Sequence, residues 1–228
     1  MLAVVFPQAC PACQQSLDRP TRGPLCGPCW LRLPSHPHPV CACGAAAPAA
    51  GSCGRCRRGL SAIAAGASLG PYEGTLRTAI HELKYGGRRR VAARLAEAAL
   101  RQEAVRGLVA PGAVLVPVPL HPRRRRERGF NQSELLAREI ARRTGAAVAP
   151  GALVRRADTP PQTGLSAAAR RANVKGAFAV RQRARIAGRV LVLIDDVFTT
   201  GATAQACARA LREAGASDVR LLTMARVS

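Results

Sequence analysis

The distribution of cysteines divides this chain into two parts. Eight of the nine cysteines lie between Cys10 and Cys56, and only Cys207 lies outside that stretch. A chain of 228 residues has room for one domain of ordinary size, about 100 to 150 residues, and a small appendage. We therefore expect a cysteine-rich domain at residues 1–59 and a second domain at residues 60–228.

The first four cysteines have the spacing of a zinc ribbon. Cys10 and Cys13 form one Cys-x-x-Cys pair, and Cys26 and Cys29 form another after an interval of twelve residues. Two tight turns at this spacing can converge on one tetrahedral ion. Four thiolates leave no open position for a substrate, so we expect a structural Zn²⁺ that folds a segment too short to build its own core.

The other four clustered cysteines are less regular, and they are Cys41, Cys43, Cys53 and Cys56. The second pair has the usual two-residue gap, whereas the first pair is Cys41-Ala42-Cys43. This pattern indicates either a second zinc knuckle shortened by one residue or a site that has lost its metal, so we expect one or two structural Zn²⁺ ions. His36 and His38 would become ligands only if one of the first pair could not reach the ion.

The N-terminus predicts a cytoplasmic protein. Residues 1–6 are apolar but lack a basic flank and lead directly into Pro7, which is unlike a secretory signal. No apolar stretch is long enough to cross a bilayer, so we expect no membrane insertion. The cytosol keeps thiols reduced, which favours metal thiolates over disulfides for the paired cysteines.

The chain is strongly basic, with a formal net charge of +22 that comes almost entirely from arginine, since Lys84 and Lys175 are its lysines. Such a surface attracts polyanions, including nucleic acid and phosphorylated substrates. An arginine-rich composition that reflects a GC-rich genome gives the same excess of positive charge. The run 123–126 is correspondingly either a nucleic-acid contact or a solvated helix face. The aromatic content of 3% counts against a dedicated platform for stacking single-stranded bases.

Residues 60–228 alternate between strand and helix patterns. Apolar runs predict strands at 63–69, 113–118, 190–194 and 219–224, and periodic apolar residues predict a helix ending at Gly86 and helices at 89–106, 131–145 and 203–214. This order predicts the α/β fold class, an open parallel sheet with helices on both faces and functional groups at the carboxyl ends of the strands. Residues 158–177 lack apolar periodicity, which predicts a long mobile loop.

The predicted strand at 190–194 is followed directly by two adjacent acids, Asp195 and Asp196. Two carboxylates at the mouth of a buried strand repel each other and lose hydration, a cost tolerated chiefly where a ligand or cation compensates. Carboxylates in such a position can accept hydrogen bonds from a vicinal diol.

The residues after Phe198 predict a phosphate site. They are small or hydroxylated and lie where a helix begins, and they comprise Thr199, Thr200, Gly201, Ala202 and Thr203. Their backbone N–H groups and hydroxyls can surround a phosphate, and the helix dipole favours its charge. The stretch lacks the Gly-Lys-Ser/Thr ending of a Walker loop, which disfavours ATP hydrolysis. A diol site beside a phosphate site describes a ribose 5-phosphate.

The apolar strand, the two acids and the Thr/Gly loop together resemble the phosphoribosyl pyrophosphate motif of type I phosphoribosyltransferases. The resemblance becomes specific to the ComF family of competence proteins, whose members join a cysteine-rich ribbon to a phosphoribosyltransferase-like domain. The stretches that match are 83–85 (Leu-Lys-Tyr), 117–121 (Pro-Val-Pro-Leu-His), 128–132 (Arg-Gly-Phe-Asn-Gln), 159–162 (Thr-Pro-Pro-Gln), Arg170 and Asn173. The similarity covers essentially the full length, and Cys41-Ala42-Cys43 is the one departure.

The resemblance implies roles for particular residues. Asp195 and Asp196 would be the catalytic residues that hold the ribose hydroxyls, and the stretch from Thr199 to Thr203 would hold the 5-phosphate. The loop after β-strand residue Val118, beginning at Pro119, would face the pyrophosphate. Guanidinium geometry suits phosphate oxygens. The further candidates for the pyrophosphate and for the mobile loop are Arg128, Gln162 and Arg170. Mg²⁺ would bind together with phosphoribosyl pyrophosphate.

Two functions fit these observations. The first is a phosphoribosyltransferase that binds phosphoribosyl pyrophosphate with Mg²⁺ and transfers the phosphoribosyl group to an unidentified acceptor, in the context of DNA uptake and natural competence. The second is a non-catalytic adaptor that binds single-stranded DNA in DNA uptake or recombination and keeps the phosphoribosyl pocket as a vestige or a sensor. Other DNA-uptake proteins would be partners in either case.

Overall fold

The structure is a computed structural model, and it describes residues 9–17, 24–35, 41, 62–156 and 176–227. Before residue 62 the described residues contain the short helix α1 (Gly27–Leu31). The later elements are, in chain order, β1 (Ala65–Pro71), α2 (Gly74–Tyr85), α3 (Val91–Leu100), α4 (Glu103–Leu108), β2 (Val114–Pro117), α5 (Pro122–Arg128), α6 (Gln132–Thr144), β3 (Ala147–Val148), β4 (Leu153–Arg155), β5 (Phe178–Val180), a 3₁₀ turn (Arg183–Arg185), β6 (Val190–Phe198), α7 (Ala202–Glu213) and β7 (Asp218–Arg226). None of the described helices is long and apolar enough to cross a membrane.

Within the described residues, five strands form one parallel sheet in the order β1-β7-β6-β2-β3. The strands β4 and β5 pair antiparallel with each other and form a separate ribbon. The middle strand, β6, pairs with β2 on one side and with β7 on the other. The open parallel α/β fold class predicted from the sequence is confirmed.

Side chains of β6 alternate between two hydrophobic cores, one on each face of the sheet. Val192 and Ile194 pack with helices α2, α3, α4 and α6, whereas Leu191 and Leu193 pack with α7. All four side chains are fully buried, and burying each one stabilises the fold by about 1.5 to 3 kcal/mol. A strand covered on both faces needs a continuous apolar run rather than an alternating pattern. This explains the unbroken apolar segment that begins at Val190.

Three helix predictions are confirmed by the structure. The predicted apolar face of α2 is fully buried, and the helix ends at Gly86. Helix α6 begins after Asn131, whose Oδ1 accepts a hydrogen bond from the backbone N–H of Ser133 at 3.0 Å, and ends at Gly145. Helix α7 lies within one residue of its predicted bounds at each end. Local apolar spacing and capping residues therefore suffice to locate these helices.

Two predictions about element boundaries are wrong. The single helix expected at 89–106 is two helices, α3 and α4, because Gln102 adopts an extended backbone and its side-chain amide donates to the carbonyl of Leu69 at 2.7 Å. The strand expected to stop at Ile194 continues to Phe198, because β6 remains paired with β7 as far as Arg226. The acid pair therefore lies inside the strand, near its carboxyl end. The mobile loop predicted at 158–177 lies, as far as residue 175, outside the described residues.

The described N-terminal residues pack against the sheet domain. The guanidinium of Arg94 in α3 lies 5.5 Å from the ring centroid of Trp30, and the hydroxyl of Thr75 in α2 donates to the carbonyl of Arg32 at 3.3 Å. Gly70 in β1 allows the closest approach, since a Cβ there would lie 2.0 Å from the carbonyl oxygen of Pro34. These contacts join the ribbon to β1 and α2, and the domain boundary near residue 60 stays a prediction.

Candidate functional site

A pocket of about 420 Å³ lies at the carboxyl end of β6, where ligands bind in open parallel sheets. The acid pair and the residues after β6 line it together with side chains from neighbouring elements. The lining residues are Tyr72, Lys84, Asp195, Asp196, Val197, Phe198, Thr199, Gly201, Ala202, Thr203, Ala204, Thr223 and Val227. The structure thus brings the predicted diol site and the predicted phosphate site into one cavity.

The two acids of β6 have different partners. Asp196 is almost fully buried, and its Oδ1 lies 2.9 Å from Nζ of Lys84, which comes from the last turn of α2. Asp195 is half-buried, and its Oδ1 accepts hydrogen bonds from the hydroxyl of Ser133 at 3.1 Å and from the N–H of Asp196 at 2.9 Å. Helix α2 supplies the cation and the first turn of α6 supplies the hydroxyl, so helices that pack on one face of the sheet hold the acid pair.

Burial perturbs the charges of this cluster. Burial, followed by the negative charge of Asp196, raises the pKa of Asp195 to about 7, although the N–H of Asp196, the Lys84 charge and the Ser133 hydroxyl oppose the rise. Burial would lower the pKa of Lys84, but the charge of Asp196 and its hydrogen bond outweigh burial, so that this pKa is raised. Lys84 is therefore a cation at neutral pH, and Asp195 exchanges its proton near neutral pH.

The predicted phosphate loop connects β6 to α7. Gly201 is the N-cap residue of α7 and has a φ of 79°, a left-handed conformation that a residue with a Cβ rarely adopts. The hydroxyl of Thr200 accepts from the N–H of Ala202 at 3.4 Å, which closes the turn before the helix. Thr199, Gly201, Ala202 and Thr203 line the pocket. The N-terminus of a twelve-residue helix therefore faces the same cavity as the acid pair.

The candidates for a pyrophosphate site are two described residues, Pro119 and Arg128, and two residues outside the described ranges. Pro119 follows β2, and the N–H of Val118 donates to the carbonyl of Ile194 at 3.0 Å, which holds this loop beside β6. Arg128 ends α5, where its guanidinium lies 5.1 Å from the ring centroid of Tyr85 and donates to Oε1 of Gln132 at 2.6 Å. Neither residue lines the cavity. Gln162 and Arg170 lie outside the described residues.

Sequence reasoning assigned no role to several residues of the site. Lys84 lies in α2 and Tyr72 directly follows β1. Thr223 lies in β7, where it is the pairing partner of Asp195 in β6. Within the described residues, Oδ2 of Asp196 and the hydroxyl of Thr223 are buried and have no hydrogen-bond partner. One sequence signal was present, because Lys84 is one of two lysines in a chain whose other basic residues are almost all arginine.

The first four cysteines form a candidate zinc site. The sulfur atoms of Cys10, Cys13, Cys26 and Cys29 all lie within 4.8 Å of one another, and those of Cys13 and Cys26 are 3.6 Å apart. Tetrahedral zinc with Zn–S bonds of about 2.3 Å requires sulfurs about 3.8 Å apart. The prediction of a zinc ribbon is confirmed for this set. Cys41 is buried, and the other members of the second set lie outside the described residues.

Comparison with known proteins gives a family match and two groups of relatives by sequence. The double zinc ribbon domain family matches residues 1–57. The DNA utilization protein YhgH of Salmonella typhimurium is 35% identical over 192 residues, which cover 82% of this chain and 83% of that protein. Competence protein F of Haemophilus influenzae is 31% identical over 222 residues, which cover 95% of this chain and 90% of that protein.

Two solved structures show more distant similarity. Glutamine phosphoribosylpyrophosphate amidotransferase from B. subtilis, in complex with ADP and GMP, has a TM-score of 0.39 and 22% identity over 58% of this chain and 25% of that chain. An allosteric regulatory enzyme of purine biosynthesis has a TM-score of 0.37 and 21% identity over 59% of this chain and 25% of that chain.

Proposed function

We propose a function for this chain from the premise that it belongs to the ComF family of competence proteins. The chain binds phosphoribosyl pyrophosphate with Mg²⁺ in the β6 pocket. It transfers the phosphoribosyl group to an acceptor in the handling of DNA. The observation that supports the proposal is the meeting of the acid pair and the N-terminus of α7 in one cavity. The names of the relatives, a competence protein and a DNA utilization protein, support the biological context.

The acid pair would bind the ribose. Carboxylate oxygens accept hydrogen bonds from the two adjacent hydroxyls of the sugar, and such charge-assisted bonds are stronger than bonds between neutral groups. Ser133 fixes the orientation of the Asp195 carboxylate, since it donates to Oδ1. This arrangement would place C1 of the ribose, the reacting carbon, at a fixed distance from the end of β6.

The start of α7 would bind the 5-phosphate. Its first backbone N–H groups lack partners within the helix, and the helix dipole adds a partial positive charge at this end. The hydroxyls of Thr199 and Thr203 belong to residues that line the same pocket. Because a single short loop joins β6 to α7, ribose and 5-phosphate would be held at the spacing they have in one molecule.

The residues present fit a magnesium ion bound with the ligand. Mg²⁺ prefers oxygen ligands, keeps several waters, and is commonly held by one or two carboxylates plus substrate phosphates. Asp195 and Asp196 are the residues that would hold it, and Oδ2 of Asp196 has no partner among the described residues. When bound, Mg²⁺ would neutralise negative charge on the pyrophosphate.

The reaction would break the bond from C1 of the ribose to pyrophosphate and form a bond from C1 to the acceptor. The chain's contribution would be positioning and electrostatic stabilisation of the departing charge. Arg128 and Arg170 remain candidates to neutralise this charge, and Gln162 remains a candidate in the mobile loop, all from the family resemblance.

The test is calorimetric titration of phosphoribosyl pyrophosphate with Mg²⁺ into the zinc-loaded protein and into the double variant Asp195→Asn/Asp196→Asn. A matched control is Glu97→Gln/Glu127→Gln, which removes two exposed carboxylates from α3 and α5. We expect saturable binding to the native protein and the control and none to the acid-pair variant. Absence of binding to a folded native protein, or equal binding to all three, would refute the proposal.

A second candidate function is favoured by the charge of the chain. Helix α5 has no buried residue, its Arg123, Arg125 and Arg126 are exposed, and the net charge of the chain is +22. A non-catalytic adaptor would bind single-stranded DNA through such a surface. Its affinity for an oligonucleotide, followed by fluorescence anisotropy, should fall steeply between about 50 and 300 mM salt as counterions are released. An affinity independent of salt would exclude this candidate.

A further inference from the structure

Tyr85, the last residue of α2, is an aromatic residue that the fold leaves in solvent. Its exposed fraction is 64%, the highest of any aromatic residue that the structure describes. The core does not need this ring, because Ile80 and Leu83 belong to the buried face of the helix. A single exposed apolar side chain is ordinary by itself, so the neighbours of Tyr85 decide what the ring can do.

Two guanidinium groups lie close to this ring and to a second aromatic residue. The guanidinium of Arg128 lies 5.1 Å from the ring centroid of Tyr85, and that of Arg89 lies 5.0 Å from the ring centroid of Phe130. The turn between α5 and α6 brings the two arginines together, since a Cβ on Gly129 would lie 3.6 Å from Nη2 of Arg89. We call Tyr85, Arg89 and Arg128 the Tyr85 patch.

The patch carries two positive charges that no carboxylate of the described residues neutralises. Arg128 donates to the neutral amide oxygen of Gln132, and Arg89 is an exposed side chain over an aromatic ring. In the arginine run of α5, by contrast, Arg123 pairs with Glu127 at 2.9 Å. An anion that approaches such a pair competes with a carboxylate, whereas an anion that approaches the patch does not.

The elements that carry the patch also hold the acid pair of the pocket. Lys84, which precedes Tyr85 in α2, contacts Asp196. Ser133 in the first turn of α6, the helix that follows the α5–α6 turn, donates to Asp195. A ligand on the patch would therefore be attached to the same helices that shape the pocket.

We propose that the Tyr85 patch binds single-stranded nucleic acid: a base stacks on Tyr85, and the guanidinium groups of Arg89 and Arg128 contact adjoining phosphates. Unpaired bases present faces that stack on aromatic rings and guanidinium planes, whereas the bases of a duplex stack on one another. One ring stacks one base, which agrees with the low aromatic content of 3%. The inference rests on the second candidate function, the binding of single-stranded DNA, and assigns residues to it.

The first test measures the affinity for a labelled oligodeoxythymidine of about 16 nucleotides by fluorescence anisotropy, without phosphoribosyl pyrophosphate. We expect Tyr85→Ala to weaken binding at least about fivefold, the contribution of stacking one base. Tyr85→Phe keeps the ring and should remain within about twofold of the native protein. Because the ring is exposed, neither change removes packing from the core. Equal affinities of the native protein and Tyr85→Ala would overturn the inference.

Two further probes separate base stacking from attraction between charges. An abasic strand of the same length has phosphates but no bases, and a duplex has bases that are already stacked. Each of these probes should bind the native protein and Tyr85→Ala with affinities that agree within about twofold. A loss in Tyr85→Ala that is as large for the abasic strand as for the oligodeoxythymidine would contradict the assignment of stacking.

The second test measures how the affinity for the oligodeoxythymidine depends on salt concentration. Each phosphate contact with a single strand contributes about 0.7 to the slope of log K against log salt concentration, so Arg89→Gln/Arg128→Gln should make the slope shallower by about 1.4. The matched control, Arg101→Gln/Arg138→Gln, removes two exposed cations that pair with carboxylates of α3 and α6. It should keep the native slope, and the same change of slope in both variants would refute the assignment of Arg89 and Arg128.

The remaining outcomes distinguish this inference from the second candidate function. If the native protein binds the oligodeoxythymidine and all the patch variants bind it equally well, the patch assignment is overturned, the second candidate function stands, and a protein partner better explains the exposed ring. If the folded native protein does not bind the oligodeoxythymidine, both are overturned. Both results are independent of phosphoribosyl pyrophosphate, which is absent from the assay.

Discussion

Replacement of Asp195 by asparagine is expected to stabilise the fold while it abolishes ligand binding. Burial and the neighbouring charge of Asp196 raise the pKa of Asp195 to about 7, so ionising this carboxyl group costs folding free energy. Asparagine removes the charge but keeps an oxygen that can accept from the Ser133 hydroxyl and from the N–H of Asp196. The variant therefore avoids the cost of ionisation and retains both hydrogen bonds.

The pH dependence of this effect follows from the raised pKa. In the unfolded chain Asp195 releases its proton near its ordinary value of 3.8, whereas in the folded protein it does so near 7. Between these values the folded state holds a proton that the unfolded state has released, so the native protein loses stability as the pH rises through this window. A pKa raised by about three pH units corresponds to about 4 kcal/mol as an upper estimate.

The assay is urea unfolding of the zinc-loaded protein, followed by circular dichroism near pH 5 and near pH 8. We expect Asp195→Asn to be more stable than the native protein by about 1 to 4 kcal/mol near pH 8 and by less near pH 5. The exposed-acid variant Glu97→Gln should differ from the native protein by less than about 0.5 kcal/mol at both values. A variant that is less stable near pH 8, or whose gain is the same at both values, would refute this reasoning.

Three further predictions concern the ribbon contact, the acid pair and the zinc site. Gly70→Ala should destabilise the protein by about 1 to 3 kcal/mol in urea unfolding, because the new Cβ would overlap the carbonyl oxygen of Pro34. The control is Gly107→Ala, where a Cβ meets nothing within 4 Å, and equal effects of the two substitutions would count against the contact. Ser133→Ala removes a hydrogen bond that lowers the pKa of Asp195, so the affinity for phosphoribosyl pyrophosphate should weaken a few-fold at neutral pH and recover at alkaline pH. A loss of affinity that is the same at all pH values would contradict this prediction. Cys29→Ser should lower the zinc content by one ion per chain in elemental analysis and shift the fluorescence of the adjacent, buried Trp30 to longer wavelength; unchanged zinc would exclude Cys29 as a ligand.

Most of the sheet domain could be predicted because local patterns dictate it. The unbroken apolar run of β6 and the periodic apolar faces of α2 and α6 depend on residues that are neighbours in the sequence. The break at Gln102 could not be predicted, since it depends on the carbonyl of Leu69, a residue far away in the chain. The extension of β6 through two acids was missed for the same reason, because pairing with β7 maintains a strand where polar residues do not predict one.

The chemistry of the candidate site was predicted more fully than its geometry. Adjacent acids followed by a small, hydroxylated loop are a local pattern, and both lie in the pocket. The pairing of Lys84 with Asp196 joins two elements that are distant in the sequence, and no periodicity predicts it. Arg128 was predicted from its motif alone, and its contacts with Tyr85 and Gln132 became visible only in three dimensions.

The most direct test of the central claim is a crystal structure of the protein soaked with phosphoribosyl pyrophosphate and Mg²⁺. We expect density for the 5-phosphate at the N-terminus of α7, within hydrogen-bond distance of backbone N–H groups between Gly201 and Thr203, and ribose hydroxyls beside Asp195 and Asp196. Density for the ligand elsewhere on the protein, or an empty β6 pocket at a saturating concentration, would contradict it.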